Sequence, residues 1–174
     1  RDSLKGGLIG AITDAEAASD DGFVTINIDG GTASTKVADL TAVDARTLNI
    51  TGDKSVTFTA AALLGNVTSV AVTNTAGAVF GSTTLNVAAT FTGGAGNDAV
   101  VIGETTKAIA MGGGDDTVTL AAGASVANIT GTIDGGDGSA DVIAMPTSVA
   151  SAVATSLGSK FTNFERVSIS DSAA

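Results

Sequence analysis

Three glycine-rich loops that each lead to an aspartate constrain this chain more than any other feature. Residues 93–101 match, at every fixed position, a nine-residue pattern with glycine at the first, second and fourth positions, aspartate at the sixth and a large apolar residue at the eighth. A degenerate copy occupies residues 111–119, and a third copy, residues 135–142, has one extra residue before its aspartate. Glycine adopts φ > 0 angles that are closed to other residues, so each copy predicts a tightly bent backbone.

The loop residues favour the binding of a hard divalent cation. Ca²⁺ takes six to eight oxygen ligands at about 2.3–2.6 Å, which is more than a single six-residue turn can supply. Two turns stacked about 4.8 Å apart, the spacing of neighbouring β-strands, can supply enough carbonyl and carboxylate oxygens. We therefore predict that the loops bind Ca²⁺ between stacked turns.

Short strands bounded by Gly, Asn or Asp separate the loops and extend towards the N-terminus. Val24, Ile26 and Ile28 alternate with polar residues, which is typical of a strand with one apolar face. The further predicted strands are residues 47–51, 56–59, 67–73, 85–87, 90–92, 99–102, 117–120, 142–144 and 166–170. Over residues 23–89 this spacing fits either the turns of a β-solenoid or a β-sandwich, so we expect an all-β protein in both cases.

The amino-acid composition indicates an aliphatic core and excludes several classes of site and partner. Hydrophobic residues make up 44% of the 174-residue chain but aromatic residues only 3%, so the core must consist mainly of Val, Ile, Leu and Ala. The chain has no Cys and no His, which excludes disulfides, thiolate metal sites, and the commonest zinc ligand and general base. Its net charge is −10 and its few Lys and Arg residues are scattered, so nucleic-acid binding is not expected. No apolar run is long enough to predict a membrane span.

A helix is predicted after Pro146. Val149, Val153 and Leu157 form one apolar stripe at helical spacing. Pro146 suits the start of the helix and Gly158 suits its C-terminal cap. With the strand that follows, this helix predicts a cap over the open end of the fold, because an uncovered last strand is an exposed sheet edge. The predicted segments are a β-rich N-terminal part (1–89), the calcium-binding loops (90–145) and a helix–strand cap (146–174).

The three loops resemble the repeats of the RTX family of secreted bacterial proteins. This resemblance implies a parallel β-roll in which two nine-residue repeats complete one turn, so that loops 18 residues apart lie one above the other. In that family the carbonyls of positions two and four and the aspartate of one loop share a Ca²⁺ with the carbonyls of positions one and three and the aspartate of the next loop. The implied ligands of a first site are Gly94, Gly96, Asp98, Met111, Gly113 and Asp116. Those of a second site are Gly112, Gly114, Asp116, Gly135, Asp137 and Asp141.

Two flanking segments resemble large repetitive RTX surface proteins in particular. They are residues 47–53 and the tail 160–169, whose Phe-Glu sequence is similar to the strand that often follows the last loop in those proteins. The resemblance implies a secreted, extracellular structural protein of a bacterial surface assembly, such as an S-layer or fibre, that folds and self-associates on binding Ca²⁺. A cell-surface polysaccharide is a second candidate partner. The alternatives are the C-terminal secretion and folding module of a type I secreted enzyme, and a segment of an adhesin stalk. No nucleophile–base pair is recognisable, so enzymatic activity of this chain is not expected.

Overall fold

The chain winds as a parallel β-solenoid. The computed structural model describes residues 3–5, 7–14, 23–59, 64–156 and 158–170. Its strands are β1 (Ser3–Lys5), β2 (Leu8–Asp14), β3 (Thr25–Asp29), β4 (Thr35–Ala42), β5 (Thr47–Thr51), β6 (Val56–Phe58), β7 (Ser69–Val72), β8 (Ala78–Leu85), β9 (Thr90–Thr92), β10 (Ala99–Ile102), β11 (Ile109–Ala110), β12 (Thr117–Leu120), β13 (Ile133–Asp134), β14 (Val142–Pro146), β15 (Phe161–Thr162) and β16 (Arg166–Ser170). The odd-numbered strands form one 8-stranded sheet and the even-numbered strands form the other, each in chain order. The predicted all-β parallel solenoid is therefore confirmed.

The core lies between the two sheets and is built from alternate residues of each strand. In β3 and β5, Ile26 pairs with Leu48 and Ile28 with Ile50, and all four side chains are buried. The same period of two, with apolar residues facing inward, recurs from turn to turn because successive side chains of a strand point to opposite faces. Three phenylalanines contact one another in the core: the rings of Phe58 and Phe80 stack with centroids 4.9 Å apart, and those of Phe80 and Phe91 meet edge to face with centroids 5.9 Å apart.

The loops form two rows, one along each side of the solenoid. One row connects each odd-numbered strand to the next even-numbered strand and contains all three glycine–aspartate loops. The opposite row varies in length and contains a 3₁₀ turn (Val126–Asn128) and the helix α1 (Thr147–Ser156). Because insertions fall mainly in the opposite row, the glycine–aspartate loops remain aligned although their separation along the chain changes.

Most predicted strands form where they were expected. The bounds of residues 47–51, 90–92, 99–102, 117–120 and 166–170 are confirmed. The prediction of a strand at 85–87 was wrong, because β8 ends at Leu85 and a turn follows. Of the two arrangements left open for residues 23–89, the structure has the solenoid, and the same two sheets continue across the segment boundaries at 89 and 145.

The short C-terminal helix is also confirmed, and it lies in the connection between β14 and β15, in contact with β14 and β16. It starts directly after Pro146, its Val149 is buried in the core, and the predicted Leu157 lies outside the described residues. The last turn, β15 and β16, follows the helix and leaves Val167 63% and Ile169 57% exposed. Within the described ranges no helix is long and apolar enough to cross a bilayer.

Candidate metal centre

The glycine–aspartate loops lie directly above one another. Ala99 of β10 pairs with Thr117 of β12, so the loops before these strands are in register. The Gly113 N–H donates to the Gly94 carbonyl at 2.7 Å, which joins the first loop to the second. The Asp137 N–H donates to the Gly112 carbonyl at 2.6 Å, which joins the second loop to the third. The expected stacking of these loops is therefore present in the structure, including the loop with the extra residue.

Glycine is required here because the stacked backbones touch. A Cβ on Gly93 would overlap the Met111 carbonyl oxygen, and a Cβ on Gly136 would overlap the Gly112 carbonyl oxygen. Gly112 and Gly136 both adopt a φ of 96°, which disfavours any other residue. Met111, which replaces a glycine of the pattern, directs its side chain into the core, where it is fully buried. Its carbonyl oxygen remains in the loop beside Gly93.

Three predicted ligands, Asp98, Asp116 and Asp141, form a column that we call the carboxylate ladder. The Asp98 N–H donates to Asp116 Oδ1 at 2.6 Å across a separation of 18 residues. The Asp116 N–H donates to Asp141 Oδ1 at 2.7 Å across a separation of 25 residues. Each aspartate thus accepts from the backbone of the equivalent residue one turn earlier. The extra loop residue and the long opposite loop do not disturb this pairing.

The second oxygen of two ladder residues has no partner among the described residues. Asp116 and Asp141 are fully buried, and their Oδ2 atoms meet no hydrogen-bond donor within the part of the chain that the structure describes. A buried carboxylate without compensation is costly, because the charge has left water. Burial accordingly raises the pKa of Asp116 to about 7. The hydrogen bond from the Asp98 N–H lowers this pKa, whereas the negative charge of Asp98 raises it further. Burial also raises the pKa of Asp98 to about 6, opposed by the Ala78 and Gly94 N–H groups, and raises the pKa of Asp141.

These carboxylates need either protons or a cation, and the surrounding oxygens fit a hard cation. Among the described residues, no three Asp, Glu, His or Cys side chains converge as a ready-made metal site. A cation beside the ladder would therefore depend on loop carbonyls. The carbonyls of Gly94, Gly112 and Asp137 each accept one N–H, and a carbonyl oxygen retains a second lone pair. The residues present thus fit Ca²⁺, whose preferred ligands are carboxylate and carbonyl oxygens.

Two loop aspartates outside the ladder face solvent. Asp115 is exposed whereas Asp116 is buried, so these neighbours do not form a facing carboxylate pair. Asp137 is also exposed, and its part in the predicted second site is limited to its carbonyl, to which the Gly114 N–H donates at 3.1 Å. These exposed side chains line a shallow polar depression of about 510 Å³ outside the ladder.

Two residues in the same row of loops were not predicted as site residues. Glu165 extends the ladder, since the Asp141 N–H donates to its Oε2 at 2.9 Å across 24 residues. That separation resembles the one between the second and third loops and could have identified it. Asn74 lies in the loop that precedes the first glycine–aspartate loop and is 0% exposed, with Oδ1 unpartnered within the described structure. Its loop carries no aspartate, so the nine-residue pattern could not reveal it.

Neither a known family model nor a curated protein matches this chain.

Proposed function

We propose that this chain is a calcium-dependent structural protein of a bacterial cell-surface assembly, secreted and folded outside the cell. The observation that carries the proposal is the pair of buried, unpartnered oxygens on Asp116 and Asp141 within stacked glycine loops. A calcium ion bound between these loops would neutralise the carboxylates and use neighbouring loop carbonyls. In this proposal the chain has a structural role and no catalytic one.

The proposed role of Ca²⁺ is to make folding conditional on its presence. Extracellular calcium modules bind with dissociation constants of about 10⁻⁴–10⁻³ M. At millimolar calcium, a site with a dissociation constant near 10⁻⁴ M stabilises the folded state by roughly 1.4 kcal/mol. Two such sites contribute about 3 kcal/mol, which is a substantial share of the roughly 5–15 kcal/mol stability of an ordinary domain. Calcium would then favour the folded chain outside the cell, where its concentration is high.

Self-association is supported by the C-terminal end of the solenoid. Val167 pairs with Ile143 and Ile169 with Met145, so both occupy the positions that face the core in the preceding strand. They are more than half exposed, and they border an apolar cavity of about 400 Å³ together with Phe161. Among the described strands, β15 and β16 are also the edge strands of their sheets. Exposed core positions beside unpaired strand edges are typical of association surfaces.

The calcium part of the proposal is tested by thermal unfolding followed by circular dichroism in millimolar CaCl₂, in MgCl₂ and in excess EDTA. For a chain of this size, about 3 kcal/mol corresponds to a fall in Tm of roughly 6–12 °C when calcium is removed. Mg²⁺ should restore little of this, because it requires a compact octahedral site and keeps its waters. Equal Tm values in CaCl₂ and EDTA would refute the proposal.

The assembly part is tested separately by sedimentation velocity and negative-stain microscopy after addition of CaCl₂. A structural subunit should form ordered polymers or sheets. A protein that binds calcium but stays monomeric at every concentration would favour the alternative role, a folding module of a secreted enzyme.

A further inference from the structure

The last described turn of the solenoid exposes positions that are buried in the turn before it. Val167 is 63% exposed, whereas Ile143, its partner in β14, is 3% exposed. Ile169 is 57% exposed, whereas its partner Met145 is 4% exposed. Among the described strands, β16 has a neighbour on one side only. This end therefore combines an apolar surface with a strand edge that can accept a further strand.

The strand register is continuous from the first described turn to the last in both sheets. In the odd-numbered sheet one column of paired residues is Ser3, Asn27, Asn49, Ala71, Thr92, Ala110, Asp134 and Thr162. In the even-numbered sheet one column is Leu8, Lys36, Thr57, Val79, Ala99, Thr117, Val142 and Arg166. Each turn thus follows the one before it by a similar displacement along the axis. The same displacement, applied to the last turn, leads to a position that the first turn of another copy can occupy.

The first and last described turns also match each other in the length of the corner that joins the two sheets. Between the two columns the residue number advances by 5 in the first turn, from 3 to 8, and by 4 in the last turn, from 162 to 166. In the six described turns between them it advances by 7 to 9, for example from 92 to 99 and from 27 to 36. A short corner stacked on a short corner leaves no long loop without a neighbour. The two end turns are therefore suited to each other.

We propose that the last turn of one copy binds the first turn of a second copy head to tail, with β16 beside β2 and β15 beside β1 of that copy. Leu8 and Arg166 end the same column, so the contact would place Ile9 of the second copy beside Val167. Within its own copy Ile9 is in register with the buried Val37. A tail-to-tail contact would need antiparallel strands, whereas the outermost pairs of the even-numbered sheet, β2–β4 and β14–β16, are parallel. Because a head-to-tail contact does not close on itself, it generates a filament. This inference rests on the proposed assembly function and specifies its contact.

The chain contains no Cys, so single cysteines introduced at the two ends report the contact directly. Paired residues of neighbouring strands lie about 4.8 Å apart, and a disulfide spans Cα separations of about 4.4–6.8 Å. Val167→Cys and Ile9→Cys, mixed in CaCl₂ and oxidised, should therefore give a mixed dimer that is several-fold more abundant than the dimer of either variant alone. A mass tag on one variant identifies the mixed dimer. Val87→Cys is the matched control for Val167→Cys, because Val87 is also an exposed valine but follows β8 in the middle of the solenoid. Mixed with Ile9→Cys, it should give no dimer.

Each result separates this inference from the proposed function. Dimers of Val167→Cys that form as readily alone as in the mixture would indicate a tail-to-tail contact and overturn the inference. Calcium-induced polymers without a cross-link between residues 9 and 167 would also overturn it and leave the assembly function intact. A chain that stays monomeric in CaCl₂ at every concentration would overturn both. If either variant does not fold, hydrogen exchange of the unmodified chain before and after assembly decides the matter. Slower exchange in both β2 and β16 supports the contact, and slower exchange in one of them or in neither overturns it.

Discussion

Replacement of Asp116 by asparagine should have opposite effects on stability with and without calcium. In the unmodified chain the Asp98 N–H donates to Asp116 Oδ1 at 2.6 Å, and the side-chain oxygen of asparagine can accept the same bond. The substitution also removes the negative charge from Oδ2, which has no partner among the described residues. Burial raises the pKa of Asp116 from an ordinary value of 3.8 to about 7. At pH 8 this shift corresponds to a cost of roughly 4 kcal/mol for folding with the side chain ionised. The asparagine amide still needs acceptors, which costs about 1–3 kcal/mol. We therefore expect Asp116→Asn to be about 1–3 kcal/mol more stable than the unmodified chain in EDTA.

In calcium the advantage should disappear. Asp116 belongs to both predicted sites, so its replacement should remove about 3 kcal/mol of calcium stabilisation. Urea unfolding at pH 8, in EDTA and in millimolar CaCl₂, measures both effects. Asp53→Asn is the matched control, because Asp53 is exposed and the substitution changes the net charge equally. It should alter stability by less than about 0.5 kcal/mol. The reasoning is refuted if Asp116→Asn is less stable than the unmodified chain in EDTA, or if it keeps the full response to calcium.

Three further predictions follow from the same geometry. In EDTA, the free energy of unfolding should fall as pH rises from about 4 to about 7. Folding raises the pKa of Asp98 to about 6 and that of Asp116 to about 7. The folded state therefore binds more protons than the unfolded state over this range, and it loses stability as these protons dissociate. A urea-unfolding series across this range that stays flat or rises would contradict this, and saturating CaCl₂ should reverse the slope. Gly136→Ala should destabilise by about 3 kcal/mol or more, because its φ is 96° and the new Cβ overlaps the Gly112 carbonyl, whereas Gly65→Ala, with open space around it, should be near neutral by thermal unfolding. Val167→Lys should leave Tm unchanged and suppress calcium-induced polymers in sedimentation velocity, and unaltered polymers would show that this end is not the contact surface.

Some of the site was predictable because its geometry is repeated. The 18-residue spacing of Asp98 and Asp116 indicated one stacked pair, and the structure has the corresponding hydrogen bond. The third loop has a longer spacing and an extra residue, so spacing alone does not show that it stacks on the second loop. The structure places the added length mainly in the opposite row of loops, so that Asp141 still bonds to Asp116.

Asn74 and Glu165 were missed for a related reason. The pattern search relies on glycine and aspartate at set positions, whereas membership of the row depends on which backbones lie one above the other. Asn74 is in a loop without an aspartate, and Glu165 has a longer side chain on the last, exposed turn. Only the strand register shows that both belong to the same column of layers.

The amino-acid sequence by itself determined the local features: where the backbone bends, which strand residues are apolar, and that oxygen ligands are concentrated in the bends. These follow from short-range sterics and from the period of two, which neighbouring residues establish without the rest of the chain. The tertiary structure decided that the strands form two parallel sheets and that Asp116 and Asp141 lose contact with water while Asp115 keeps it. It also decided that one oxygen of Asp116 and one of Asp141 lack a partner among the described residues. The burial of these carboxylates and the lack of hydrogen-bond donors around them depend on the turns above and below, which come into place only when the solenoid folds.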